Sequence, residues 1–131
     1  MADYDVFHVW DISASGLNAE WQRMLVIAGN VANADTTDTP EGGPYKKRHI
    51  VFTTALDQLN GVQIKGVVPS NEPPRVVYDP GHPDADEQGF VSMPNVKLPL
   101  EMVDMLAASR AYQANLATMR SFKQICEETI K

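Results

Sequence analysis

Both ends of this 131-residue chain carry heptad-spaced apolar residues, and this pattern constrains the fold more than any other feature. Near the amino end, residues recur at alternating spacings of four and three: Trp10, Ala14, Leu17, Trp21, Met24, Ala28 and Val31. Near the carboxyl end, the same spacing runs through Leu98, Met102, Met105, Ser109, Tyr112, Leu116, Met119, Lys123, Cys126 and Ile130. A 3.5-residue period is typical of paired helices, so the sequence predicts two long terminal helices that pair as a coiled coil.

The limits of both helices can be predicted from the residues that flank them. Asn33 can adopt a left-handed cap conformation, and the Thr, Asp, Pro and Gly residues within 35–44 cannot continue the first helix. Gly16 weakens the amino-terminal half by about 1 kcal/mol relative to alanine. In the second helix, Pro99 suits the first turn, and Glu101 and Asp104 complement its dipole. We expect this helix to continue to the end of the chain.

The residues between the helices have a different composition, because all nine prolines and six of the eight glycines lie from Pro40 to Pro99. Short runs rich in β-branched and aromatic residues are bounded there by turn residues, which predicts four strands at 50–54, 62–68, 75–78 and 89–93. The predicted fold is therefore mainly α with a small β-rich insertion. Residues 1–36 and 96–131 form one coiled-coil domain in this prediction, and residues 37–95 form the strand-and-turn module.

Composition excludes several classes of protein. A hydrophobic content of 44% argues against a disordered chain, and a net charge of -6 argues against a nucleic-acid binder. The apolar runs are too short to cross a bilayer, and Asp3, Asp5 and Asp11 are unlike a secretory signal. We therefore expect a protein that is not inserted in a membrane and that carries no cleaved signal peptide.

Residues capable of catalysis are present but are not arranged in a known pattern. His8, His49 and His82 are scattered in sequence without a metal-binding spacing, which favours ordinary surface or turn histidines. Cys126 is the only cysteine, and its heptad position favours a small buried apolar residue over a nucleophile. We expect no enzymatic activity, no cofactor and no small-molecule substrate.

Two charged segments could bind ions. The segment from Asp79 to Glu87 offers several carboxylates, so a loose calcium site is conceivable, but its spacing matches no calcium loop and favours a solvated loop. The segment from Lys46 to His49 could attract phosphate, although basic residues at the start of a strand more often protect an exposed sheet edge.

Several segments of the chain together resemble the bacterial flagellar rod, hook and related axial proteins. The amino-terminal part of the resemblance lies in Ile12 to Glu20 and Arg23 to Thr36, which includes Gly-Asn-Val-Ala-Asn-Ala-Asp-Thr. The carboxyl-terminal part lies in Met93 to Val96, Glu101 to Met105 and Ser109 to Asn115. Shorter matches in between lie at Gly43 to Tyr45, Val77 to Pro83 and Gly89 to Val91, so the resemblance covers nearly the whole chain. Gly29, Trp21 and the polar run after Cys126 depart from the usual pattern of the family.

The resemblance implies a structural subunit of the flagellar basal-body rod. Such a subunit would be exported through the flagellar type III apparatus and would polymerise across the periplasm, with other rod subunits and with itself as partners. It would have no enzymatic activity, and its terminal helices would form the inner layer of a tube.

Five polar residues lie outside the apolar heptad positions of the two helices. They are Asn30, Asn33, Arg110, Gln113 and Asn115. They therefore face either the connecting loop or a neighbouring subunit, and we interpret them as an assembly signature that serves helix termination and hydrogen bonding between subunits. A soluble coiled-coil adaptor or regulator would also explain the heptads, and a small hydrolase would need Cys126 or a histidine for activity.

Overall fold

A computed structural model of the chain describes residues 6–54 and 61–130. It contains the helices α1 (Val6–Ala32) and α2 (Leu98–Ile130) at the two ends. Between them lie the strands β1 (Arg48–Thr54), β2 (Val62–Pro69), β3 (Arg75–Tyr78) and β4 (Phe90–Met93). The predicted mainly α fold with a small β-rich insertion is confirmed, and the strands lie within two residues of their predicted limits. Neither helix contains an apolar stretch long enough to cross a membrane.

The two helices pack side by side in opposite directions. Gly16 lies against the side chain of Asn115, the rings of Trp21 and Tyr112 are 6.4 Å apart, and Asn30 is hydrogen-bonded to Glu101. Residue numbers thus rise along α1 while they fall along α2, which is an antiparallel arrangement. Ala19 and Ala108 are buried in the two helices, and such small side chains allow the backbones of packed helices to approach closely.

The strands form two separate antiparallel ribbons. In the first, Arg48 pairs with Pro69 and Thr54 with Val62, and the register shifts between Val51 and Phe52. In the second, β3 pairs with β4, and its Tyr78 and Phe90 rings meet edge to face at 5.3 Å. A two-stranded ribbon is marginally stable by itself, so these ribbons depend on packing against other parts of the chain.

The first ribbon rests on α1. Ser15 Oγ accepts a hydrogen bond from Val62 N at 3.1 Å and donates one to Ile12 O at 2.6 Å. Gly61 precedes this contact with a φ of 87°, a conformation that glycine adopts without strain. The helix backbone and the start of β2 can approach closely because Gly61 carries no side chain.

The heptad residues do not all lie between the helices. Met119 is buried, and Leu17, Met24, Met105, Tyr112 and Leu116 are half-buried. Contrary to the prediction, Ala28, Val31 and Met102 are exposed, and Met102 retains 62% of its accessible surface. Trp21 is also partly exposed, but its ring meets that of Tyr112 on α2, so it takes part in the contact between the helices. The buried residues of α2 are Glu101, Ala108 and Met119, and only Met119 among them belongs to the predicted heptad.

Candidate functional site

A buried polar cluster lies where both helices meet the segment that leads into β1. Its centre is Asn30, whose side chain is 1% exposed. Asn30 Nδ2 donates to Arg48 O at 2.8 Å and to Glu101 Oε2 at 3.3 Å. Asn30 Oδ1 accepts from Arg48 N and from Tyr45 Oη, both at 2.9 Å. These four bonds use both donors and both acceptor sites of the amide, so Asn30 is fully satisfied within the chain.

Glu101 is the acidic member of the buried polar cluster. It is 1% exposed, and Lys47 Nζ lies 2.8 Å from its Oε1. The hydrogen bond to Glu101 raises the pKa of Lys47, and burial raises the pKa of Tyr45. A buried carboxylate is tolerated only when it is paired and hydrogen-bonded, and Lys47 and Asn30 meet these two requirements.

The buried polar cluster joins three parts of the fold that are distant in sequence. Asn30 lies in the last turn of α1, and Glu101 lies in the first turn of α2. Tyr45 and Lys47 belong to the connection between α1 and β1, and Arg48 is the first residue of β1. The Arg48 guanidinium also lies over the Tyr45 ring, 5.8 Å from its centre, which is within range of a cation–π contact. The arrangement therefore holds the two helices and the start of β1 in fixed positions.

The structure separates the five residues of the expected assembly signature. The Asn30 amide is enclosed by its own chain and contacts the connecting loop at Tyr45, which is the first of the two surroundings expected for it and not the neighbouring subunit. Asn33 is half-buried at the end of α1, where Nδ2 donates to Gly29 O at 2.8 Å and Oδ1 accepts from Thr36 Oγ1. This bonding agrees with a role in helix termination.

The three signature residues on α2 fall into two groups. Asn115 is half-buried beside Gly16, so its side chain takes part in the contact between the helices. Arg110 and Gln113 are exposed. Of the five residues, these two are therefore the ones that the structure leaves open to a neighbouring molecule.

Sequence reasoning did not identify Tyr45, Lys47 and Glu101 as members of one site. The signal available for Glu101 was a second heptad on α2, in which Glu101, Met105, Ala108, Tyr112, Asn115 and Met119 alternate at four and three. That set contains an acid and an amide, so an apolar pattern does not select it. No comparable signal in the sequence distinguishes Lys47 from its basic neighbours.

The segment from Asp79 to Glu87 forms a hydrogen-bonded loop. Asp86 Oδ1 accepts from Gln88 N and Phe90 N, and His82 Nδ1 accepts from Asp84 N. Within residues 6–54 and 61–130, no three His, Cys, Asp or Glu side chains are grouped so that they could hold a metal ion. The solvated loop thus remains the favoured interpretation of this acidic segment.

Exposed apolar side chains form a second feature, which we name the exposed apolar face. On α1 it comprises Trp21, Leu25, Ala28 and Val31, and on α2 it comprises Leu98, Met102 and Leu106. The contact between Trp21 and Tyr112 places the α1 residues beside α2. Neighbouring apolar side chains that remain in water are typical of a binding surface for another protein.

Comparison with known proteins connects both helices to one kind of protein. A family model described as "Flagella basal body rod protein" matches residues 11–38. A second model, described as "Flagellar basal body rod FlgEFG protein C-terminal", matches residues 87–131. The two matches together include most of α1 and all of α2, and they contain the exposed apolar face.

Curated relatives match over almost the full length of both proteins. The chain is 39% identical over 128 residues to the flagellar basal-body rod protein FlgC of Escherichia coli O6:H1, covering 95% of this chain and 96% of that protein. It is 38% identical to FlgC of Aquifex aeolicus, covering 97% and 96%. It is also 36% identical to FlgC of Borreliella burgdorferi, covering 92% of each protein.

Proposed function

Because the chain belongs to the FlgC family of flagellar basal-body rod proteins, we propose that it is a structural rod subunit that polymerises through its terminal helices. The observation that carries this proposal is the exposed apolar face. Exposed apolar side chains also occur on the strands, among them Val67 and Val76, but the exposed apolar face lies within the two segments that the rod-family models match. This location favours the helices as the main contact between subunits.

The energetics of burial support a contact of this kind. A large apolar side chain gains about 1.5–3 kcal/mol when it moves from water into a packed interface. Trp21 remains 51% exposed and Met102 62% exposed in the single chain, so much of this gain is not realised there. Neighbouring subunits around a tube would cover these side chains, and each added contact would stabilise the polymer.

Different parts of the chain have different roles in the proposed subunit. Residues 1–36 and 96–131 act as one helical unit that pairs in the manner of a coiled coil, and residues 37–95 act as the module attached to it. The exposed Arg110 and Gln113 then supply polar contacts to a neighbouring subunit at the edge of the exposed apolar face. A rod subunit needs packed contacts and no catalytic chemistry, so we propose no enzymatic activity.

Export and location complete the proposal. The subunit passes through the flagellar type III export apparatus, and it joins other rod subunits and copies of itself in the periplasmic part of the basal body. The resemblance of both terminal segments to flagellar axial proteins supports this route.

The experiment replaces Met102 with Glu in a strain whose own copy of the gene is deleted. A buried charge without a partner is costly, so Met102→Glu should prevent incorporation of the protein into basal bodies and abolish swimming. The purified variant should unfold at the same urea concentration as the wild type, because Met102 is exposed in the single chain.

The matched control is Val67→Glu, which adds the same charge at an exposed apolar residue of the first ribbon. This variant should still be incorporated. Basal bodies of normal composition and swimming cells with Met102→Glu would contradict polymerisation through the helices. A soluble closed dimer of the wild type that never enters basal bodies would instead favour the coiled-coil adaptor.

A further inference from the structure

Glu101 is enclosed from two sides by parts of the chain that are distant from it in sequence. One carboxylate oxygen meets Asn30 of α1, and the other meets Lys47 of the connection into β1, at 3.3 Å and 2.8 Å. Lys47 also lies near the carboxylates of Asp104 and Glu72, which further favour its charged form. The cation that balances the buried Glu101 therefore comes from outside the helix pair.

Of the two groups that contact the Glu101 carboxylate, α1 contributes only the neutral amide of Asn30. The desolvation of a carboxylate is costly when no cation compensates for it, so the pairing would be opposed at the end of the helices where Asn30 and Glu101 meet. Docking of the segment from Tyr45 to Arg48 removes this cost, because Lys47 reaches Glu101 while Tyr45 and Arg48 complete the bonds of Asn30.

We propose that the Lys47–Glu101 ion pair makes stable pairing of the terminal helices conditional on docking of the segment that leads into β1. The helices and the middle of the chain then fold as one cooperative unit and not as independent parts. The ion pair acts here as a coupling device, and a hydrophobic pair of similar size would lack this dependence.

The coupling has a consequence for assembly that rests on the proposed function. A subunit that reaches the growing rod unfolded would pair its helices only after its middle segment has docked. This sequence of events would keep the exposed apolar face from forming early, before the subunit has its final shape. The coupling itself concerns the isolated chain and does not depend on the rod.

The test measures hydrogen exchange of backbone amides in the full chain for four variants. They are Lys47→Met, Glu101→Gln, the double variant Lys47→Met/Glu101→Gln, and the control Lys46→Met, which removes an exposed neighbouring lysine. Methionine keeps an apolar stem of similar length, and glutamine keeps an oxygen that can accept from Asn30.

Lys47→Met should accelerate exchange about tenfold or more at the end of α1 near Asn30 and the start of α2 near Glu101, because an unpaired charge remains buried. The exchange rates of the double variant should lie within about threefold of those of Glu101→Gln, because the charge that Lys47 compensates is absent from both. Lys46→Met should exchange like the wild type.

Two results would overturn the coupling. In the first, Lys47→Met accelerates exchange in the segment around Tyr45 but leaves both helices unchanged. In the second, the effects of the two substitutions simply add, so that the neutral side chain introduced by Glu101→Gln does not rescue the loss of Lys47.

If Lys47→Met unfolds the whole chain, the double variant still decides: recovery of the folded state supports the coupling, and continued unfolding contradicts it. Failure of the Met102→Glu experiment would leave these results unaffected.

Discussion

Val62 N donates a hydrogen bond to Ser15 Oγ at 3.1 Å, which fixes the first residue of β2 to α1. The hydroxyl of Ser15 is itself oriented by its bond to Ile12 O, so it presents an acceptor to the strand. This contact determines where the first ribbon sits along the helix, and it depends on the small size of the residue before Val62.

Gly61→Ala should destabilise the chain by about 1–3 kcal/mol. An added Cβ would overlap Ser15 Oγ and would lie 3.3 Å from Ile12 Cα in the helix backbone. The φ of 87° adds a conformational cost for any residue with a side chain. Urea unfolding followed by circular dichroism measures the change in the free energy of unfolding.

Gly66→Ala is the matched control, because a Cβ at that position of β2 would meet no other atom within 4 Å. We expect its stability to equal or slightly exceed that of the wild type, since alanine costs less conformational entropy than glycine. Equal losses at both glycines would show that the close approach to Ser15 is not the cause.

Asn30→Ala should cost about 2–4 kcal/mol, well above the effect of losing one average hydrogen bond. The substitution leaves the Arg48 backbone and Tyr45 Oη without a buried partner and removes one of the two groups that bind Glu101. Thermal or urea unfolding of the purified chain gives the magnitude.

The comparison with Asn33→Ala isolates the role of burial. Asn33 makes two side-chain bonds at the half-buried end of α1, so its loss should cost only about 1 kcal/mol. A cost for Asn30→Ala no larger than that for Asn33→Ala would be incompatible with the central position that the structure gives Asn30.

The elements of this fold were predictable because their signals are strong and local. Heptad spacing identifies α1 and α2. The concentration of proline and glycine between Pro40 and Pro99 identifies the part of the chain that contains the strands. Coiled-coil pairing in the strict sense and the proposed domain limits at 36 and 96 remain predictions.

The face of α2 that contacts α1 could not be predicted in the same way. Apolar periodicity marks every surface that avoids water, whether it meets the same chain or a neighbour. Met102 belongs to such a surface but is exposed, whereas Glu101 is buried because Asn30 and Lys47 compensate for its polarity. Compensation by residues distant in sequence leaves no periodic signal.

Alkaline pH should destabilise the chain through the buried polar cluster. The folded state raises the pKa of Lys47 above 10.5 through its bond to Glu101, and it raises the pKa of Tyr45 above 10.0 through burial. In both cases the folded chain holds the proton more tightly. The two groups therefore stabilise the fold fully at pH values below 10.0, the lower of the two ordinary pKa values, which apply to the unfolded chain. This stabilisation is lost as the pH rises through the higher pKa values of the folded chain.

Urea midpoints measured from about pH 8 to pH 11 test this dependence. The urea midpoint of the wild type should decrease once the pH exceeds about 10, and the midpoint of Lys47→Met should decrease less steeply over the same range. Lys46→Met should follow the wild type, since no comparable bond is seen at this exposed lysine among the described contacts. The same slope in Lys47→Met and in the wild type would exclude the ion pair as its source.

Arg110 and Gln113 should act in assembly without contributing to the stability of the single chain. Both are exposed on α2, near Tyr112 and the exposed apolar face. Arg110→Ala and Gln113→Ala should change the free energy of unfolding by less than about 0.5 kcal/mol, as is usual for surface substitutions. They should nevertheless reduce the amount of the protein in purified basal bodies, because hydrogen bonds across an interface would be lost.

Asn115→Ala should affect the stability of the single chain more than its incorporation into basal bodies. Its half-buried side chain lies beside Gly16, so the substitution should loosen the contact between α1 and α2 and lower the stability of the single chain. Measuring unfolding and incorporation for all three variants separates a contact within the subunit from one between subunits. Normal incorporation and swimming in an Arg110→Ala/Gln113→Ala double variant would remove these residues from the interface, because the exposed apolar face would then suffice for assembly.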